Sequence, residues 1–325
     1  MFGAVEEFPK TLAEFERWFA TEEACREYLC RLRWPEGFRC PRCDSAKAWP
    51  VAKVRLECSS CGHQVSVTAG TILQDSHRPL TLWFRAIWWV TTQKNGASAL
   101  GLQRILGLGS YQTAWTWLHK LRRAMIRPNR DRLTGRVEVD EMYWGAPEES
   151  LQGREPGRKT LIVIAAQEDG RKIGRIRLGR VPDASADSME GFIAQSIEPG
   201  SSVHTDGWSG YSRLRNKGYR HEATLQTQRE PGAEKDLLPR AHRVVTLLRR
   251  WLMGTHQGAI SPEHLDYYLD EFTFRFNRRT STHRGKLFYR LLQQALAVAP
   301  APYSRIIKHL RGRPSKKHNP LGQPE

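Results

Sequence analysis

The chain has 325 residues, with 51 Lys plus Arg against 34 Asp plus Glu, a formal charge of +17. A surplus of that size points to a polyanionic partner, because each neutralised phosphate releases a counterion. No apolar run approaches the ~20 residues a membrane span needs, so a membrane is not among the expected partners. The N-terminal stretch MFGAVEEFPK shows no signal-peptide pattern, which places the expected site of action in the cytoplasm. In a reducing compartment the six cysteines read as metal ligands or buried thiols rather than disulfides.

Residues 1–37 are acidic and carry Leu12, Phe15, Phe19, Tyr28 and Leu29 at helical intervals, which predicts a helical lead-in. Cys25 and Cys30 within it lack paired spacing and read as small buried hydrophobes. Residues 38–70 switch to short strands and turns around two CxxC pairs, Cys40/Cys43 and Cys58/Cys61. Each pair wraps two thiolates around an ion, and two pairs complete a tetrahedral Zn²⁺ site, with Gly62 permitting the knuckle turn. This is the pattern of a zinc ribbon, whose metal supplies much of its folding energy.

Residues 77–128 are helical and aromatic. A helix from Ser98 to Leu106, the breaker Gly107-Leu108-Gly109 and a helix capped by Ser110 give the layout of a helix-turn-helix. In that layout Gln112, Thr113, Lys120, Arg122 and Arg123 are the candidates for reaching bases or phosphates.

From Arg136 the pattern becomes that of an α/β domain, taken as residues 134–300. VEVDEMYW, TLIVIAAQ and KIGRIRLGRV read as three strands, the middle one buried on both faces, followed by a helix and the strand SSVHTD. Asp140 and Asp206 end alternating runs on two of these strands. Two acids projecting into one crevice repel each other and favour a divalent cation between them, the requirement for phosphoryl chemistry with two Mg²⁺ or Mn²⁺ ions. A third acid is expected from a helix nearby. On the helix from Pro262 to Arg279, Leu265, Tyr268, Leu269, Phe272 and Phe276 form one stripe, and Glu271, Arg275 and Arg278 stand on its flank. The residues alone leave two readings of that trio open: a metal ligand with phosphate-binding guanidiniums, or an ordinary surface ion pair. Residues 301–325 read as a basic, partly disordered tail.

In this order, the zinc ribbon, the helical segment, VEVDEMYWG, VHTDGWSGY, HRVVTLLRRWLMGTHQG and HLDYYLDEFTFRFNRR resemble the bacterial insertion-sequence transposases of the zinc-ribbon-bearing, ISXO-like group. The resemblance implies a multi-domain α+β protein with a ribonuclease-H-like catalytic core and a DDE-type acid set, matching Asp140 and Asp206 to its first two members. Many relatives carry Asn and then Lys where this chain has Leu247 and Arg249; others use a Glu with Arg at +4 and +7, which Glu271, Arg275 and Arg278 reproduce. Asp270, Glu263, Glu234 and Asp236 are the alternative third acids. The implied activity is metal-dependent cleavage at the element's terminal inverted repeats, followed by strand transfer. The implied partners are double-stranded DNA, as element ends and target, and further copies of the chain on the nucleoid. A nuclease without strand transfer, and a zinc-ribbon DNA-binding protein that has lost its chemistry, are the alternatives.

Overall fold

A computed structural model of the chain describes residues 7–51, 54–127, 130–145, 159–224 and 236–307. They fall into two compact units, Met1–Pro128 with Thr280–Glu325, and Asn129–Arg279.

The first unit opens with two short helices, α1 (Leu12–Trp18) and α2 (Glu22–Arg33). The side chains of Thr11 and Thr21 accept from the N–H groups of Glu14 and Ala24, each at 3.2 Å, and so satisfy donors the first turns leave open. The ribbon follows as an antiparallel sheet of β1 (Ala48–Val51), β2 (Arg55–Cys58) and β3 (Gln64–Ser66). The Arg33 guanidinium donates to the carbonyls of Ser66 and Val67 and fastens the end of α2 to β3.

Next come α3 (Leu80–Thr92), α4 (Ala99–Leu106) and α5 (Tyr111–Ala124). Ser98 and Ser110 cap α4 and α5, the second as its position before the apolar run predicts. Between the two helices, Gly107 takes a left-handed φ of 60°. The ring of Trp83 on α3 stacks on that of Trp117 on α5 at 3.7 Å.

The core of this unit also takes in α9 (Arg284–Ala297), whose Phe288 lies against Phe15, Phe19, Phe84 and Trp88. The α/β domain therefore does not extend to residue 300: its unit ends at Arg279, and the buried stripe of α9 serves the helical unit instead. A short helix, α10 (Tyr303–Ile307), stands inside the segment expected to be a tail, and residues 308–325 lie outside the described residues.

The second unit is a five-stranded mixed sheet. An antiparallel meander of β4 (Arg136–Trp144), β5 (Thr160–Asp169) and β6 (Lys172–Val181) is extended by β7 (Ser202–Thr205) and β8 (Arg220–Ala223), parallel to β4, in the order β6-β5-β4-β7-β8. Alternation along β5 sends Leu161, Val163 and Ala165 to one face and Ile162, Ile164 and Ala166 to the other, all buried.

The first face is covered by α6 (Ala186–Ser196) through Met189 and Ile193. The second is covered by α7 (Pro239–His256) and α8 (Leu265–Phe276), through Val244, Leu248 and Leu252 on α7 and the apolar stripe of α8. The Asn277 side chain closes α8 onto the edge strand, accepting from the Ile176 N–H at 2.7 Å and donating to its carbonyl at 3.1 Å.

Candidate functional site

The ribbon's metal site is assembled by its two knuckles. The Sγ atoms of Cys40 and Cys61 are 3.7 Å apart and those of Cys43 and Cys58 3.5 Å. One donor atom from each of the four lies within 4.8 Å of the others. Among the described residues no other His, Cys, Asp or Glu group gathers three donors so closely. Gly62, at φ 65°, gives its N–H to the Cys58 carbonyl and so closes the second knuckle in a conformation that a side chain would strain. Four sulfur donors around a point fit Zn²⁺. Chelation, or Cys58→Ser, is expected to unfold residues 38–70 while the β4–β8 sheet stays protected. Hydrogen exchange read beside zinc release checks this, and a ribbon that keeps its protection after losing its metal refutes it.

Cys25 is buried, which pushes its thiol up to about 12, and so stays the inert hydrophobe that its spacing suggested.

The carboxylate site begins with register. β4 and β7 run parallel with Glu138 opposite His204, and Asp140 and Asp206 each follow two residues further along the chain. Asp140 does not end its strand: β4 continues to Trp144, whereas β7 stops at Thr205. There Gly207, at φ 82°, turns the chain, and Asp206 accepts from the Trp208 N–H at 3.0 Å. Burial pushes the Asp140 carboxyl up to about 6; the attraction of His242 opposes this, and the negative charges of Glu141 and Asp206 add to it. The pair is thus held near enough, and dry enough, for one charge to raise the cost of the other.

The first turn of α7 meets this pair. Glu138, 1% exposed and two residues before Asp140 on the same face of β4, accepts the N–H groups of Arg240 at 2.7 Å and Ala241 at 2.9 Å. It caps from another strand a helix that has no side-chain cap of its own. The Arg240 guanidinium returns to Glu138 at 2.9 Å and to Glu168 at 3.0 Å. With the helix start fixed in this way, the Nε2 of His242 lies 3.4 Å from an Asp140 oxygen, while its Nδ1 bonds to Asp236. On the opposite face of β4, Tyr211 donates to Glu141 at 2.7 Å.

Glu271 lies on α8, which packs on β6, and it is fully buried in an ion pair with Arg275, with N–O distances of 2.8 and 2.7 Å. That flank of α8 is interior, which sets aside the reading of the trio as a surface ion pair. Arg278 lies over the Phe274 ring at 4.1 Å. Leu247, as expected of an apolar residue, packs against the core and offers no ligand.

On α5, Arg122 is 2% exposed, which corrects its reading as a phosphate contact: the helix turns it inward with Leu118 and Leu121. Lys120 is half-buried, and that burial lowers its pKa. Arg123 and Thr113 are partly exposed; Gln112 is exposed and donates to Tyr303.

The residues missed by sequence reasoning lie on α7. Its buried positions Ala241, Val244, Leu248 and Leu252 leave His242, Arg243, Thr246, Arg249 and Arg250 on one exposed face that leads away from Asp140. The helical period of HRVVTLLRR carried that signal.

Comparison with known families agrees with this division of the chain. A model of the ISXO2-like transposase domain matches residues 132–277, and one of the transposase zinc-ribbon domain matches residues 20–64. No curated protein matches the chain.

Proposed function

Because residues 132–277 match the ISXO2-like transposase domain and residues 20–64 the transposase zinc-ribbon domain, we propose that the chain binds the terminal inverted repeats of an insertion sequence and catalyses strand cleavage and strand transfer there. The observation that carries the proposal is the proximity of Asp140, on β4, to Asp206, just past the end of the parallel strand β7, where burial makes the Asp140 charge costly without a cation. The strand order β6-β5-β4-β7-β8, with three antiparallel and two added parallel strands, supports a ribonuclease-H-like core.

Asp140 and Asp206 would hold Mg²⁺ or Mn²⁺, which supplies charge stabilisation at the attacking and leaving oxygens of an in-line displacement. The protein's own part is positional. Glu138 and Arg240 fix α7 against β4, and Gly207 turns the chain just after Asp206. The exposed arginines of α7 give phosphates a positive track beside the acids. In the first unit, the capped helices α4 and α5 around Gly107 support a helix-turn-helix, whose accessible groups are Tyr111, Gln112, Thr113 and Arg123. That unit would recognise the ends, and copies of the chain would pair the two ends.

The test is cleavage and joining of end-sequence DNA in Mg²⁺. Asp206→Asn is expected to bind the DNA as tightly as the unaltered protein while losing both steps. Joining at a near-normal rate by this variant would sink the mechanism. Cleavage without any joining would reassign the protein as a nuclease.

A further inference from the structure

We infer that Glu141 and Tyr211 are positioning residues for the reaction: the hydrogen bond between them ties the loop that carries Asp206 to the strand that carries Asp140. It thereby sets the spacing of the two aspartates. The inference rests on the two-carboxylate reading given above and adds to it a pair of side chains that act through those acids.

Asp206 lies just past the end of β7, beyond the strand pairing that fixes Thr205. Its place depends on the loop that follows, and that loop has a set shape. The Gly207 N–H donates to the Thr205 hydroxyl at 3.1 Å, the Trp208 N–H to the Asp206 carboxylate at 3.0 Å, and the Tyr211 N–H to the Trp208 carbonyl at 3.0 Å. The Trp208 indole donates to the Ala184 carbonyl at 3.3 Å. It lies so close to Gly210 that a Cβ there would stand 2.7 Å from its Nε1, so the turn admits no side chain without moving the ring. A loop of set shape still has to be fastened to β4. Tyr211 does this at the far end of the loop, where its hydroxyl donates at 2.7 Å to Glu141, the residue next to Asp140.

Alternation along β4 puts Val137, Val139 and Glu141 on the face covered by α6, and Asp140 and Met142 on the other. Glu141 therefore holds the loop from the face opposite to Asp140. The Tyr211 ring is fully buried in the cluster that contains Val137, Val139 and Met189. A phenylalanine would fill that space with no polar atom to satisfy, whereas a buried hydroxyl is costly unless it is bonded. A bond to a carboxylate is shorter and stronger than one between neutral groups. What the phenol adds to the packing of its ring is a fixed distance between the Asp206 loop and β4.

The full-length, zinc-loaded protein titrated with Mn²⁺ tests this, with bound Mn²⁺ read by its paramagnetic resonance and folding by circular dichroism. Tyr211→Phe keeps the ring and should stay folded, yet bind Mn²⁺ about tenfold more weakly, the usual effect of losing a group that orients a ligand. Its cleavage of end-sequence DNA should need correspondingly more Mg²⁺. Two variants that remove the Glu141 charge equally read the same bond from its other side. Glu141→Gln keeps an acceptor for the phenol and Glu141→Leu does not, so the first should bind Mn²⁺ about tenfold more tightly than the second. In the Tyr211→Phe background that difference should vanish. Unaltered Mn²⁺ affinity in a folded Tyr211→Phe protein overturns the inference, and so does equal affinity of the two Glu141 variants. Release of Mn²⁺ by Glu141→Gln as complete as by Asp140→Asn makes Glu141 itself a ligand and overturns it too. If Asp140→Asn leaves Mn²⁺ binding unchanged, the two-carboxylate reading fails, and the positioning role with it.

Discussion

Asp140→Asn should abolish DNA cleavage and at the same time make the metal-free protein more stable. The loss of rate is expected to be on the order of a thousandfold or more, the scale seen when a group that acts only in the transition state is removed. The gain in stability follows from where the carboxylate sits. Burial first, and then the charges of Glu141 and Asp206, hold its folded pKa at about 6, above the ordinary value of 3.8, against the pull of His242. A folded pKa raised in this way makes the ionised acid a cost to the native state. The cost is absent below about pH 4, grows between pH 4 and 6, and is fully present at neutral pH.

Removing it should gain on the order of 1–2 kcal/mol at pH 7, less than two pKa units would give alone because the coupled neighbours readjust. Urea unfolding of both proteins across pH 4 to 7 without divalent metal measures the difference, which should open as pH rises. Adding Mg²⁺ should stabilise only the unaltered protein and narrow the gap. An Asn variant that is less stable at pH 7 and equally stable at pH 4 would show that Asp140 is a structural acid.

The site was legible in the sequence where local pattern and chemistry coincide. VEVDEMYW and SSVHTD alternate strongly enough to name their strands, though not where the first of them ends. The four cysteines needed only their spacing. Ser110 announced α5 because a cap acts on its own helix. What failed was any property set by a distant partner. β8, Arg220–Ala223, is polar and mostly exposed, and it is a strand only because its backbone pairs with β7. The start of α7 at Pro239 depends on Glu138, a hundred residues earlier. α9 follows the sheet domain in sequence, but its stripe of Leu287, Phe288, Leu291 and Leu292 is buried in the helical unit. Periodicity told which residues of α8 face the sheet; it could not tell that the opposite flank, with Glu271, was also buried.

That buried flank carries the second large effect. Glu271→Gln should destabilise the protein by about 3–5 kcal/mol, because it leaves the Arg275 guanidinium buried with its counter-charge removed. Glu271 is fully buried and Arg275 only 12% exposed on its side chain, so water offers little compensation. The paired change Glu271→Met with Arg275→Leu removes both charges and fills similar volume, and should recover most of the loss. A double-mutant cycle in urea separates the coupling of the pair from the packing of each residue. The functional measurement decides between fastening α8 and binding metal. Cleavage per folded molecule, taken well below the unfolding midpoint, should remain near normal in both variants, if α8 serves the fold through its packing on β6. A Glu271→Gln protein that keeps its stability and loses cleavage would place Glu271 in the catalytic set.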